Sequence, residues 1–394
     1  MTTPTTDPGL LTGPRPEILA FDEVRTRHPR YDHAFKRAWQ LATQGRASRV
    51  VIVAGPTGVG KTTLGASLLQ KARRETLEEC KADPSIVPAV LVKAIAPQGR
   101  IFSWKDFYIR ALEQLREPLV ERKVWTHQQL SLLGPDVVGK TGADGMNVEV
   151  LRRSLENAFR RRKTRFLIVD EAHHILLCHD ERQLSLQFET LKSLADMCNA
   201  TLVLLGTYKL LMIRDYSAQL IRRSQIVDFP SYRFELKEDR TAFKSVLAYF
   251  AKALTVPLAC ELCSDVSYFF VKTAGCVGIL HDLLRDALQE ALSDGAATIS
   301  REIVDRVAQS NKGIRTILEE AALGCVALQD VPLAEVEAMV RKSPAEIVAD
   351  RLGTSQLVPG RAAAPSGRGK RSLAVGQRVQ SRDAVGGASG VNFL

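Results

Sequence analysis

The chain has 394 residues, 45% hydrophobic and 25% charged, with a formal net charge of +10; these are ordinary globular proportions, and the length suits two or three domains with cores large enough to need no disulfides. The start, MTTPTTDPGLLTGPRP, lacks a basic segment followed by an apolar stretch, and the most apolar window, 201–213, is broken by Gly206 and Lys209, which argues against secretion and membrane spanning. Seven cysteines at irregular spacing read as reduced thiols of a cytoplasmic protein.

In chain order, residues 1–20 are rich in Pro, Thr and Gly and read as a flexible lead, and 21–47 read as helical, ending at Gly45. From 48 to about 235, short apolar runs alternate with helical stretches, with strands expected at 50–53, 89–95, 166–169, 201–205 and 226–229. Such alternation predicts an α/β fold, in which crossover helices cover both faces of a parallel sheet. Residues 116–146 read as a loop or insertion, and the pattern turns wholly helical from Lys237 to about Leu352. Gly353 and Pro359 begin a tail in which 361–394 carry six Lys/Arg against one Asp, half of the net charge. Its richness in Gly, Ser and Ala predicts disorder, and its charge suits either a solubility handle or an arm for an acidic partner such as DNA.

Residues 55–62 read GPTGVGKT, a Walker A loop, between the expected strand at 50–53 and an amphipathic helix from Thr63. Gly55, Gly58 and Gly60 allow backbone angles that a Cβ resists. The N–H groups of the loop, through Pro56, Thr57, Val59 and on to Thr63, can then turn toward phosphates at the positive end of the helix. Lys61 supplies a point charge to the β- and γ-phosphates, and Thr62 a hydroxyl ligand for Mg2+. ATP and Mg2+ are therefore the expected cofactors.

The second piece of chemistry is FLIVDEAHH, 166–174. A carboxylate at the C-terminal end of a parallel strand faces the phosphate site, so Asp170 can hold the metal shell while Glu171 polarises the attacking water. Without Glu171 a phosphoryl transferase is equally plausible; with it, hydrolysis is favoured. His173, His174, Cys178 and His179 resemble a metal cluster only loosely, and the pattern favours one histidine facing the nucleotide or the next element and the others solvated. Cys260 and Cys263 lack a second pair and read as small buried residues of a helix. The DEAH sequence at 170–173 raises a superfamily 2 helicase as rival. The Ser-Ala-Thr and Arg-rich motifs of such enzymes are missing, and the helical region after Lys237 offers no second sheet.

Beyond the DEAH sequence the chain resembles an AAA+ ATPase, a P-loop α/β core with a C-terminal helical lid. Thr207, polar at the tip of the strand LVLLGT, stands where that superfamily places sensor 1, and Arg222 and Arg223 stand where it places an arginine finger reaching a neighbour's nucleotide. The resemblance divides the chain into a lead at 1–20, a nucleotide-binding domain at 21–236, a lid at 237–312, a helical extension at 313–352 and a basic tail at 353–394. The stretch TAGCVGILHDLLRDAL, 273–288, is similar to the sensor 2 helix, with Gly278 where an arginine is usual.

Within AAA+, the chain resembles the TnsC/TniB family of transposition regulators. The resemblance is carried by RPEILAFDEVRTRHP (15–29), GPTGVGKTT, APQGRIFSWKDFYIRALEQL (96–115), IVDEAHH, LVLLGT, the RR-x3-V-x-FP block and the G-x2-G lid helix. It implies a switch: ATP-bound protomers assemble as rings or filaments around duplex DNA, contact its phosphates, and disassemble on hydrolysis. It also implies a DDE transposase and a target selector of TniQ or TnsD type as partners, contact with DNA through Arg100 and Lys105, and a place in the bacterial cytoplasm, at the nucleoid when on DNA. Two other classes stay open: an Orc/Cdc6-like initiator or clamp-loader-like ATPase, and a signalling or scaffold ATPase that does not touch DNA.

Overall fold

The computed structural model describes residues 15–44, 50–97, 99, 101–120, 142–177, 181–212 and 224–354. The chain divides into a unit ending at Gln329 and a second beginning at Asp330.

The first unit is built on five parallel strands: β1 (Val50–Ala54), β2 (Ala89–Lys93), β3 (Phe166–Asp170), β4 (Thr201–Gly206) and β5 (Ser224–Asp228), in the spatial order β2-β3-β4-β1-β5. All five expected strands are present, and the last begins two residues earlier than its apolar run. β1 and β4 are buried along their whole length, the continuous apolar pattern of strands covered on both faces. Alternate side chains divide between two cores. Val50 and Ile52 face one with helices Trp104–Gln114, Gly142–Arg161 and Glu181–Cys198; Val51 and Val53 face the other with helices Pro29–Thr43 and Lys61–Glu75. In chain order, with Pro16–Asp22 as α1, these are α2 (Pro29–Thr43), α3 (Lys61–Glu75), α4 (Trp104–Gln114), α5 (Gly142–Arg161) and α6 (Glu181–Cys198). Helix α5 begins inside the stretch expected to be loop, so 142–146 are helical, while 121–141 lie outside the described residues.

The segment FSWKDFY supplies the aromatic side of α4. Ser103 caps the helix through Asp106 N, Phe102, Phe107 and Tyr108 are buried, and Trp104 Nε1 donates to Gln187 Oε1 on α6 at 2.6 Å. These aromatics anchor α4 to the sheet, a structural task.

After β5 the chain forms a helical layer: α7 (Lys237–Ala253), α8 (Val266–Thr273), α9 (Val277–Asp294) and α10 (Arg301–Val307). The expectation of a flexible lead through residue 20 does not describe 16–20. Helix α1 lies in the core of the helical layer, with Ile18 and Phe21 buried among residues of α7 and α9. Arg15 Nη1 donates to Leu292 O, and Arg285 pairs with Asp22 at 2.7 Å. From α1 in the lid the chain crosses to the sheet along 24–28 and starts α2 at Pro29. His28 caps that helix through Tyr31 N, and a proline at the first position costs no hydrogen bond. So 24–28 belong to no helix, contrary to the expectation for 21–47.

The next helix, α11 (Asn311–Ala327), returns from the lid to the α/β layer. Gly324 lies flat on the ring of Tyr208, where a Cβ would come within 1.9 Å of Cδ2. In the second unit, helices Leu333–Val340 and Pro344–Thr354 are joined at Ser343, whose backbone N–H donates to Glu346 while Glu346 N donates back to its hydroxyl, a capping box. The disorder expected for the tail concerns residues outside those described from 355 onward. No described helix is long and apolar enough to cross a membrane.

Because Phe21 is 1% exposed and packed in the lid core, Phe21→Ala should destabilise the protein by about 3–5 kcal/mol, the cost of emptying an aromatic core position. Denaturant titration would measure it, and a change below about 1 kcal/mol would show that α1 is not part of that core.

Candidate nucleotide-binding site

Strand β1 delivers 55–60 to the N-terminus of α3. Gly58 (φ 80°) and Gly60 (φ 103°) hold left-handed backbone, and Gly60 is the N-cap. Gly55 is required for space: a Cβ there would come within 2.1 Å of Phe229 O, where the chain leaves β5. The other side of the loop meets the lid. Gly278 N, in the first turn of α9, donates to Gly58 O at 2.6 Å, and a Cβ on Gly278 would lie 2.5 Å from that oxygen. The position that lacks the usual sensor 2 arginine is therefore a point of backbone contact between lid and phosphate loop.

Lys61 is buried, and its Nζ donates to Gly55 O at 2.9 Å and Pro56 O at 2.7 Å. Burial lowers its pKa, opposed first by the charge of Glu171. Thr62 Oγ1 donates to Asp170 Oδ2 at 2.9 Å, bringing the hydroxyl of the loop and the carboxylate of β3 together. Asp170 is also fixed from behind, since Ala94 N donates to its carbonyl and Glu171 N to its Oδ1. Glu171 is next, in left-handed backbone, φ 53°, conformational strain of the kind that concentrates at functional sites. Between β1 and β3, at the tip of β4, Thr207 is buried with Oγ1 lacking a hydrogen-bond partner among the described residues.

Gly58, Lys61, Thr62, Glu171, Thr207 and Gly278 line one cavity of about 720 Å3, large enough for a nucleoside triphosphate. Its floor is 57–63 with Glu171, His173, His174 and Thr207. The far end is formed by Val24, Thr26 and His28 from the crossing segment and Val277, His281 and Arg285 from α9. His28 is pushed down to about 4 by burial and is neutral, with Nδ1 accepting from Tyr232 Oη at 2.9 Å. His281 stacks on Phe21 and donates to its carbonyl at 3.2 Å.

The donor set fits ATP with Mg2+: a phosphate loop whose close contacts leave no room for Cβ atoms, a buried cation, a hydroxyl and carboxylate of the hard-oxygen type that Mg2+ takes, and an orphan hydroxyl at the phosphate end. Gly55, Pro56, Thr57, Gly58, Val59, Gly60, Lys61, Thr62 and Thr63 form the loop and helix start as expected, with Asp170, Glu171 and Thr207 beside them. Arg100, Arg222 and Arg223 lie outside the described residues. Lys105, on the first turn of α4, does not line the cavity. The expectation that one of these histidines faces the nucleotide or the next element and the others are solvated is corrected. His173 and His174 both line the cavity, and His174 Nδ1 is 2.9 Å from Ala94 O. Cys178 and His179 lie outside the described residues, among which no group of three or more His, Cys, Asp or Glu is placed to hold a metal. Cys260 and Cys263 are exposed, not buried.

Residues 44–214 match the family model of the AAA domain. That span runs from the end of α2 to the turn after β4, and with the parallel order β2-β3-β4-β1-β5 and the helices around it the fold is that of AAA+ P-loop ATPases. No curated protein matches the chain. Among solved structures it is similar to the ORC2 protein of Aeropyrum pernix in its ADPNP–ADP complexes, at 15% identity over 74% of this chain and 72% of that one, TM-score 0.47. It is also similar to a Walker-type ATPase of Pyrococcus abyssi, at 15% identity over 82% and 80%, TM-score 0.42. A third is the RuvB Holliday junction branch migration motor of Thermotoga maritima, at 14% over 70% and 67%, TM-score 0.37.

The sequence did not mark 24–28 or the α9 face as cavity walls. The available signal was the short stretch between two helices that ends at Pro29. Gly278→Ala should weaken nucleotide binding by roughly 5- to 150-fold, because the added methyl must displace the loop carbonyl. Titration with a fluorescent ATP analogue checks this; unchanged affinity would show that the lid contact does not shape the loop.

Proposed function

We propose that this chain is an ATP-hydrolysing switch of DNA transposition: its ATP-bound form assembles on duplex DNA, links a target selector to a DDE transposase, and hydrolysis releases the assembly. The observation that carries the ATPase part is the convergence of Lys61, Thr62, Glu171 and Thr207 on one cavity beneath a helical lid, with Asp170 hydrogen-bonded to Thr62 from behind. The transposition part is supported by the TnsC/TniB-like segments at 15–29 and 96–115 and the G-x2-G lid helix, and DNA contact by the net charge of +10.

Bound ATP with Mg2+ would supply the phosphoryl group and neutralise part of its charge. Thr62 and Asp170 would hold the metal, and Lys61 would exchange its loop carbonyls for phosphate oxygens. Glu171 would accept the proton of the attacking water while the Thr207 hydroxyl orients it. Arg222 and Arg223 are proposed to enter a neighbour's site, where a cation supplied in trans couples hydrolysis to assembly. Head-to-tail contacts of this kind close into rings or continue as filaments. Arg100 and Lys105 are the proposed DNA contacts, to phosphates and thus independent of sequence.

Electron microscopy on random-sequence duplex DNA tests the reading. With a non-hydrolysable ATP analogue the wild type should form oligomers, Lys61→Ala should form none, and Glu171→Gln should bind ATP, hydrolyse it at least about 100-fold more slowly and stay assembled. Assembly indifferent to nucleotide would contradict the proposal. A footprint at one specific sequence would favour an initiator, and nucleotide-dependent assembly insensitive to DNA would favour a scaffold ATPase.

A further inference from the structure

Glu171 occupies a demanding place. Its backbone is left-handed, it caps the 3-10 turn Ala172–Leu176, and its side chain is 32% exposed, so little protein packs around the carboxylate. Two residues on, His173 returns to it: Nδ1 lies 3.2 Å from Glu171 Oε2, and the histidine side chain is only 12% exposed. The ring is confined by His174, 4.4 Å away between centroids. Its backbone is confined by β4, because a Cβ on Gly206 would already sit 3.2 Å from His173 N. Nδ1 is nonetheless without an aligned hydrogen bond. A buried nitrogen that touches a carboxylate yet misses hydrogen-bond geometry lacks only a small rotation of either side chain. Burial first, then His174, Lys61 and Lys209, keep this imidazole neutral, so it has one N–H to give.

We propose that His173 is a positioning residue for Glu171: its Nδ1–H donates to Oε2 and holds the carboxylate toward the cavity that Thr207 also lines. The inference rests on the reading of Glu171 as the base. His173 transfers no proton; the proton of the attacking water goes to Glu171, and the imidazole keeps its own. The turn at 171–173 then serves two ends: left-handed backbone turns Glu171 off the strand, and the residue after next fixes where its side chain points.

Asparagine and glutamine distinguish the two ring nitrogens, since the amide of Asn reaches the place of Nδ1 and that of Gln the place of Nε2. Steady-state ATP hydrolysis should show kcat reduced about tenfold or more in His173→Gln, the factor expected for losing a hydrogen bond to a charged group, with most of it recovered in His173→Asn. KM for ATP, affinity for a non-hydrolysable analogue and melting temperature should stay near wild type in both. In single-turnover experiments on a Glu171→Gln background, His173→Gln should add no further loss, because its effect passes through the carboxylate. Wild-type or raised kcat in His173→Gln, equal loss in both variants, or a further fall in the double variant would overturn the proposal. The two readings fail separately: normal turnover in Glu171→Gln removes Glu171 as base, whereas slow Glu171→Gln with normal His173→Gln removes only the histidine.

Discussion

The phosphate loop is held from two sides at separations that leave no room for a side chain. On one side Gly55 lies against Phe229 O at the exit of β5; on the other Gly58 O receives the N–H of Gly278 from the lid. Backbone against backbone is the closest packing a chain allows, and it makes the loop the common wall of sheet and lid. A lid displacement breaks the Gly278 contact and frees the carbonyl of Gly58. A phosphate drawn into the loop acts on that same peptide. The loop thereby gives the cavity and the helical layer one peptide in common.

The N-terminal segment extends this coupling. Helix α1 belongs to the lid core, α2 to the sheet, and 24–28 cross between them along the cavity. Arg30 of α2 pairs with Asp239 of α7 at 2.6 Å, and Tyr249 Oη of α7 donates to Arg25 O. Inside the cavity, burial lowers the pKa of Lys61, holds His28 and His173 neutral, and leaves the Thr207 hydroxyl unpartnered among the described residues. The Lys61 ammonium has carbonyl oxygens as its hydrogen-bond partners among the described residues, and an anion at the loop would add a directly bonded opposite charge.

The parts legible in the sequence are those set by local pattern. Continuous apolar runs marked all five strands, and the loop glycines, Lys61, Thr62 and the Asp170–Glu171 pair were readable because their chemistry requires fixed spacing. The parts that were not legible depend on contacts between distant segments. Pro16 to Ala20 reads as a loose lead because its Pro-rich surroundings mask Ile18, whose partners lie over 200 positions away. Gly278 reads as a missing arginine, while its use comes from what it approaches. Gly324 carries no signal of its own in the sequence, and its use comes from the ring of Tyr208 beneath it. His173 reads as one of several histidines, and only the backbone turn at Glu171 brings its ring to the carboxylate.

We infer that the cavity between sheet and lid is an ATP site whose loop senses the lid. The most direct test is a structure with a non-hydrolysable ATP analogue and Mg2+. The triphosphate is expected within 57–62, the metal beside Thr62 and Asp170, and the base between the 24–28 segment and α9. An analogue bound elsewhere, or bound at the loop with its base outside the cleft between sheet and lid, would contradict it.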